Sequence, residues 1–224
     1  MSDLYTGRKM TIGALLDTSD PPIVVPEWQR NYSWNQTSVA CVWLDLQAFV
    51  DRFPPNQRLA GERTLGSVHL AQHDKTQVLL DGQNRIATAT ILLATLRDYV
   101  AGHAGHHAVR LQQKYIRTFD PKTGEASYKL TLNRFDQGFF QREIQDAPIK
   151  GVATPQPQIE SHKFIWQAKR VFSERLEQCC GSRASPAQAL AQALRVETAL
   201  TEHTVVTATL SEWTARLRYP VEHP

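Results

Sequence analysis

Five consecutive residues, Asp81-Gly82-Gln83-Asn84-Arg85, concentrate the chemistry of this chain. They follow the apolar run Val78-Leu79-Leu80 and precede a long amphipathic pattern, where a strand would hand over to a helix. A helix N-terminus leaves backbone N–H groups unpaired and carries partial positive charge, so it attracts anions. Gly82 lets a ligand come close to the backbone. Arg85 brings a planar cation suited to phosphate oxygens, at the helix end where the dipole disfavours a cation unless an anion lies between. Asp81 could hold a water or a Mg²⁺ ion. Gln83 and Asn84 carry amides able to cap a helix or to read a base or ribose. A plain turn fits the same residues: Asp-Gly is a common turn, Asn84 is a good N-cap, and Arg85 could pair with Asp81. Both readings stand on the residues alone. No G-x-x-x-x-G-K-[ST] loop occurs, and the stretch Thr6 to Thr11 echoes only part of one.

A second concentration lies about fifty residues earlier. Pro26-Glu27-Trp28-Gln29-Arg30-Asn31-Tyr32-Ser33-Trp34 interleaves three rings with an amide and a guanidinium. Rings provide stacking or an apolar wall, and Arg30 a phosphate contact, which suits a nucleobase or an altered backbone. The alternative is that Trp28 or Trp34 plugs the core beneath a loop.

The elements that must hold these residues follow from periodicity. Met10 to Asp17 reads as a short helix and Pro21 to Pro26 as a short strand. Val39, Val42, Trp43, Leu46, Val50 and Phe53 make one helical stripe, with Ser38 as N-cap and Pro54-Pro55 as stop. Thr64 to Ala71 and Thr76 to Leu80 read as a hairpin. Ala89, Leu92, Leu93, Leu96, Tyr99 and Val100 repeat at helical spacing after the Asp81–Arg85 turn. Val109 to Phe119 reads as a helix, Ala126 to Leu132 as a strand, and Arg134 to Gln145 as a helix with Phe135, Phe139, Phe140 and Ile144 on one side. A proline-rich linker covers 147–158. Helices follow, one opening with Ser185 as N-cap and Pro186 at the first position. Thr204 to Leu210 is a last strand candidate. The sum is an α+β fold, divided into a core over 1–146 and a helical part over 158–224.

Bulk properties narrow the classes. Lys and Arg number 25 against 22 Asp and Glu, a net charge of +3 that permits a nucleic-acid partner without a basic arm. No apolar run reaches the ~20 residues of a membrane span, and the N-terminus has no signal-peptide pattern. Three cysteines, Cys41 and the adjacent Cys179 and Cys180, do not form a disulfide framework and suit a reducing cytoplasm. Cys41 falls on the apolar side of its helix, as a small core residue. His103, His106 and His107 lack partners at metal-ligand spacing and read as a solvated helix end. No metal site made by the protein alone is expected.

Together, "VVPEWQRNYSW" and "LGSVHLAQHDKTQVLLDGQNR" resemble the I-P-x-Y-Q-R-x-Y-x-W and L-G-x-(I/V)…D-G-Q-Q-R signatures of the N-terminal domain of GmrSD-type Type IV restriction proteins. That family has SspE-like and BrxU-like members, and the resemblance runs from about Met10 to about Leu210. It implies a ParB/sulfiredoxin-like mixed sheet with helices, followed by a mainly helical part. It also implies binding and Mg²⁺-dependent hydrolysis of a nucleoside triphosphate, GTP or ATP. By position, Asp81, Gln83 and Arg85 correspond to catalytic residues, and Gly82 and Asn84 to nucleotide-binding ones. Pro26, Trp28, Gln29, Arg30, Tyr32 and Trp34 correspond to the motif expected to sense modified DNA, with a lean toward a phosphorothioate backbone.

Two departures stand out: Asn84 replaces the usual Gln and Trp28 the usual Tyr. The family's HNH-type nuclease has no counterpart here, so the chain reads as the sensor and NTPase half of a larger protein or a standalone subunit. Oligomeric state stays open, a homo-oligomer included. A non-catalytic ParB-like module binding DNA or nucleotide is the competing reading.

Overall fold

A computed structural model describes residues 6–17, 22–74, 76–119, 124–149, 155–181 and 185–212. The elements run β1 (Thr6–Thr11), α1 (Ile12–Asp17), β2 (Ile23–Val24), α2 (Gln36–Asp51), β3 (Arg63–His73), β4 (Thr76–Asp81), α3 (Gln83–Ala101), α4 (Gly105–Leu111), β5 (Arg117–Phe119), β6 (Ala126–Tyr128), β7 (Leu130–Thr131), α5 (Arg134–Phe140), α6 (Glu160–Leu176), α7 (Pro186–Glu202) and β8 (Thr204–Glu212). Single wide turns extend α4, α5 and α6 at their C-terminal ends.

One six-stranded mixed sheet, in the order β1-β8-β3-β4-β2-β7, carries the fold, and β5 and β6 form a separate ribbon. The expected α+β class holds. β3 and β4 are the expected hairpin, with β3 running two residues past Ala71 and β4 ending on Asp81. β8 lies between β1 and β3, antiparallel to the first and parallel to the second. The expected halves, 1–146 and 158–224, therefore share one sheet, and α6 also packs on α2 and α3.

Val68, Leu70, Leu79, Val206 and Ala208 present the sheet's apolar face to the core. α3 is buried over almost its whole length, its polar residues included, which goes beyond the amphipathic stripe expected from the sequence. Its buried Thr90 and Thr95 hydroxyls donate to Ile86 O and Ile91 O one turn back, which leaves neither without a partner.

Several elements differ from the sequence expectation for identifiable reasons. Met10 and Thr11 are strand residues, because they pair with Val206 and Val205 of the distant β8. α2 starts two residues before Ser38, with Asn35 accepting the Ser38 N–H as its N-cap. Cys41 is exposed: it sits two positions from Val39, about 200° around the helix and off the apolar stripe. Arg117–Phe119 leaves the helical pattern to pair with β6. The expected strand Ala126 to Leu132 splits, its first part pairing with β5 and its second with β2. Phe135 is exposed, with the Arg134 guanidinium over its ring, whereas Phe139, Phe140 and Ile144 are buried as expected. The expected linker over 147–158 has no helix or strand among its described residues. Ser185 and Gln188 form a complete capping box at the start of α7.

Candidate functional site

Two glycines in the left-handed region shape the β4–α3 turn, Gly82 within it and Gly66 in the neighbouring strand β3. Gly82, at φ 93°, is the N-cap of α3 and offers no side chain to its first turn. A Cβ there would lie 2.7 Å from Val68 Cγ1 and 3.0 Å from Ser67 O, so only glycine fits. Gly66, at φ 103°, sits at an irregularity in the β3–β8 ladder. A Cβ on it would meet Arg85 Nε at 2.7 Å. The Leu65-Gly66 and Asp81-Gly82 pairs are thus complementary: one glycine makes room for the turn and the other for the arginine it carries.

Asp81 is exposed at the end of β4, opposite His69 of β3. Among the described residues it forms no ion pair with Arg85, so the pairing that would make this a plain turn does not occur. Asn84 is not the N-cap either.

Gln83 and Asn84 leave the helix toward the other side and grip the aromatic loop. Gln83 Nε2 donates to Arg30 O at 2.7 Å. Ser33 N–H donates to Asn84 Oδ1, and Asn84 Nδ2 to Ser33 Oγ, both at 3.1 Å. Gln29 Nε2 donates to Leu80 O at 2.5 Å, and Pro26 O accepts the Gln29 N–H in a turn. The Tyr32 and Thr88 hydroxyls share a 2.8 Å hydrogen bond inside the core, where burial pushes the phenol pKa well above its ordinary value. Tyr32 is therefore an internal anchor of the loop. Trp34 is half-buried against the core, and Trp28 is 40 % exposed.

Three residues that the sequence reading did not select hold the loop from a second side. Asn133 caps α5 with its oxygen and donates Nδ2 to Gln29 O and to Asn31 Oδ1, each at 3.0 Å. Asp136 Oδ2 accepts the Tyr32 N–H at 2.7 Å, and Asp136 Oδ1 accepts from Ser161 Oγ at 2.5 Å. Asn133 followed three residues later by Asp136 is visible as a helix-start pattern, but nothing local says that it faces residues 29–32.

A small open cavity with room for about one water lies where these elements meet. Val25, Ala87 and Leu132 supply apolar wall beside the Tyr32 ring, and Arg30, Gln83, Asn84, Asn133 and Asp136 supply polar groups. Gln83 Oε1 is buried there without a hydrogen-bond partner, an acceptor available to a donor on a ligand or water. Of the residues picked from sequence, Arg30, Tyr32, Gln83 and Asn84 converge on this cavity. Asp81 and Arg85 do not: they lie on the β3 side of the same helical turn. The Asp81–Arg85 stretch thus serves two surfaces.

The family model for the GmrSD restriction endonuclease N-terminal domain matches residues 12–212. The chain belongs to that family. The match encloses both glycine pairs, the aromatic loop and β8. No curated protein matches the chain. As a GmrSD N-terminal domain it is a component of a restriction system, a class of antiviral defence.

The remaining polar clusters of this GmrSD domain have local explanations. His103 Nδ1 contacts Tyr99 O, and the His106 and His107 rings lie 4.2 Å apart. No group of three His, Cys, Asp or Glu among the described residues could hold a metal ion. No described helix is long and apolar enough to cross a membrane. Cys180 donates to the Cys179 sulfur and Gln192 Nε2 adds a 3.5 Å contact, which holds the Cys179 thiol down at about 6.

Proposed function

We propose that this restriction component binds and hydrolyses a nucleoside triphosphate at the β4–α3 turn, and that modified DNA read by the loop over 26–35 controls that step. The nuclease it governs, of HNH type, resides in another domain or subunit. One observation carries the reading: Asp81 and Arg85 leave the same turn as opposite charges not paired with each other, Arg85 lying over Gly66 of β3 and Gly82 leaving the first turn of α3 without a side-chain cap. An uncapped helix N-terminus next to an arginine suits phosphate oxygens. Asp81 is a hard oxygen ligand of the kind Mg²⁺ takes alongside substrate phosphates. When bound, the ion would offset charge on those phosphates. The chain's own part is orientation of water by Asp81 and neutralisation by Arg85 and the first-turn N–H groups, the main source of rate in phosphoryl transfer.

For the DNA, the loop exposes both the Arg30 guanidinium and the apolar ring of Trp28. A guanidinium next to apolar surface suits a phosphorothioate, because sulfur is more weakly hydrated than oxygen and loses less on leaving water. Gln83 and Asn84 connect this loop to the turn, so a ligand on one side bears on the other.

A binding module that turns nothing over is the second reading. It is favoured by the cavity, which has room for about one water and not for a nucleotide, and by amides already bonded to the loop.

Phosphate release from GTP and ATP decides between them. It is measured with no DNA and with matched duplexes that are unmodified, phosphorothioated or hydroxymethylated. The enzyme reading expects the phosphorothioated duplex to stimulate release, and Asp81→Ala to reduce release by about 10²-fold or more. Equal background release from wild type and Asp81→Ala removes the enzyme reading. Equal response to all duplexes removes the sensing reading.

A further inference from the structure

The loop over 26–35 is held by α3 on one side and by α5 and α6 on the other, and a single carboxylate joins the second set. Asp136 is 1 % exposed, and among the described residues no cation pairs with it. A buried carboxylate without a counter-ion depends on its hydrogen-bond donors, and loss of one leaves charge under-satisfied. Here the donors belong to different parts of the fold: Tyr32 N–H from the loop at 2.7 Å, and Ser161 Oγ from the first turn of α6 at 2.5 Å. Ser161 Oγ also receives Asn31 Nδ2 at 3.5 Å, so loop, α5 and α6 close a ring of contacts. His162 Nε2 lies 2.9 Å from Phe135 O and its ring stacks on Phe139, which fixes α6 against α5.

We propose that Asp136 is a positioning residue: it sets the loop that carries Trp28 and Arg30, and through Ser161 it makes that setting depend on where α6 sits. The functional consequence rests on the DNA-sensing reading of the loop; the positioning itself does not. If Asp136 fixes the loop, removing it frees loop amides while α3, buried over nearly its whole length, stays protected. A residue that merely stabilised the whole fold would accelerate exchange everywhere.

The test is hydrogen–deuterium exchange on the full chain, for wild type, Asp136→Ala, Asp136→Asn and Ser161→Ala. Asp136→Ala is expected to speed exchange over 29–35 by about tenfold or more, with 86–101 unchanged. Asp136→Asn keeps an acceptor for Tyr32 N–H, and the Ser161 hydroxyl can turn to accept from the new amide, so its loop is expected within about twofold of wild type. Should Asp136→Ala not fold, Ser161→Ala carries the loop test with Asp136→Asn as its control. Ser161→Ala is expected to speed exchange in the same loop peptides, by less. Unchanged loop exchange in Asp136→Ala, or equal acceleration over 86–101, overturns the proposal. So does a loop unaffected by Ser161→Ala, since α6 would then have no part in it. Binding of phosphorothioated and unmodified duplexes forms a separate arm: Asp136→Ala is expected to lower their ratio of affinities and leave non-specific affinity intact. A wild type that binds both equally defeats the sensing reading alone, because the exchange arm uses neither DNA nor nucleotide.

Discussion

At the scale of single residues, the Asp81–Arg85 stretch divides by direction. Residues 83, 84 and 87 share one side of the first turn of α3, and 85 lies well round from them. Two amides therefore hold the aromatic loop, while the charges of Asp81 and Arg85 remain near β3. Asn84 shows why the family's longer Gln is not required here: its shorter amide meets Ser33 through two 3.1 Å bonds. The glycines are the least replaceable positions. Gly82→Ala places a Cβ against Val68 and Ser67 in a left-handed backbone, and should lower stability by about 2–5 kcal/mol, read as a drop in the urea midpoint with unchanged m-value. A midpoint equal to wild type would mean that the turn relaxes freely.

At the scale of elements, most helices were legible because their signals are local. Ser185 with Pro186 announces α7, and the stripe of α2 predicts its buried face. The strands were less so, since a strand is completed by a partner that its own residues do not name. Met10 and Thr11 leave the expected helix for that reason, and the expected strand Ala126 to Leu132 divides between two partners. The end of α6 against α7 makes a testable pair. Contacts with the Cys180 thiol and the Gln192 amide hold the Cys179 thiol below its ordinary value, at about 6, so its thiolate is expected to form at lower pH than that of an ordinary cysteine and to be lost as pH falls. In a Cys41→Ser background, iodoacetamide should label Cys179 half-maximally near pH 6. Cys180→Ala removes the donor and should move that midpoint up by roughly one to two pH units. An unmoved midpoint would assign the low value to another cause.

At the scale of the whole molecule, the C-terminal strand is central. β8 separates β1 from β3 and pairs with both, so the chain cannot complete its sheet until its last described element is in place. A chain ending at His203 loses two ladders and the buried Val206 and Ala208, a loss comparable to the roughly 5–15 kcal/mol by which domains are stable. It should show no cooperative thermal transition by circular dichroism. A sharp transition in that truncated chain would mean that the fold does not need β8 to close its sheet.

The sequence by itself determined the α+β class, the β3–β4 hairpin leading into α3, the two motifs and the residues in them, because periodicity, capping and turn chemistry act over a few positions. Only the tertiary structure decided which residues meet. Asp136 and Tyr32 are 104 positions apart and Asn31 and Ser161 130 apart, and no local rule relates such pairs. Tyr32 turned inward, Trp28 stayed at the surface, and one helical turn came to face two ways. The physical reason is that a side chain's role depends on which partners lie beside it in the folded chain, and those partners are brought by the sheet and by helices α5 and α6.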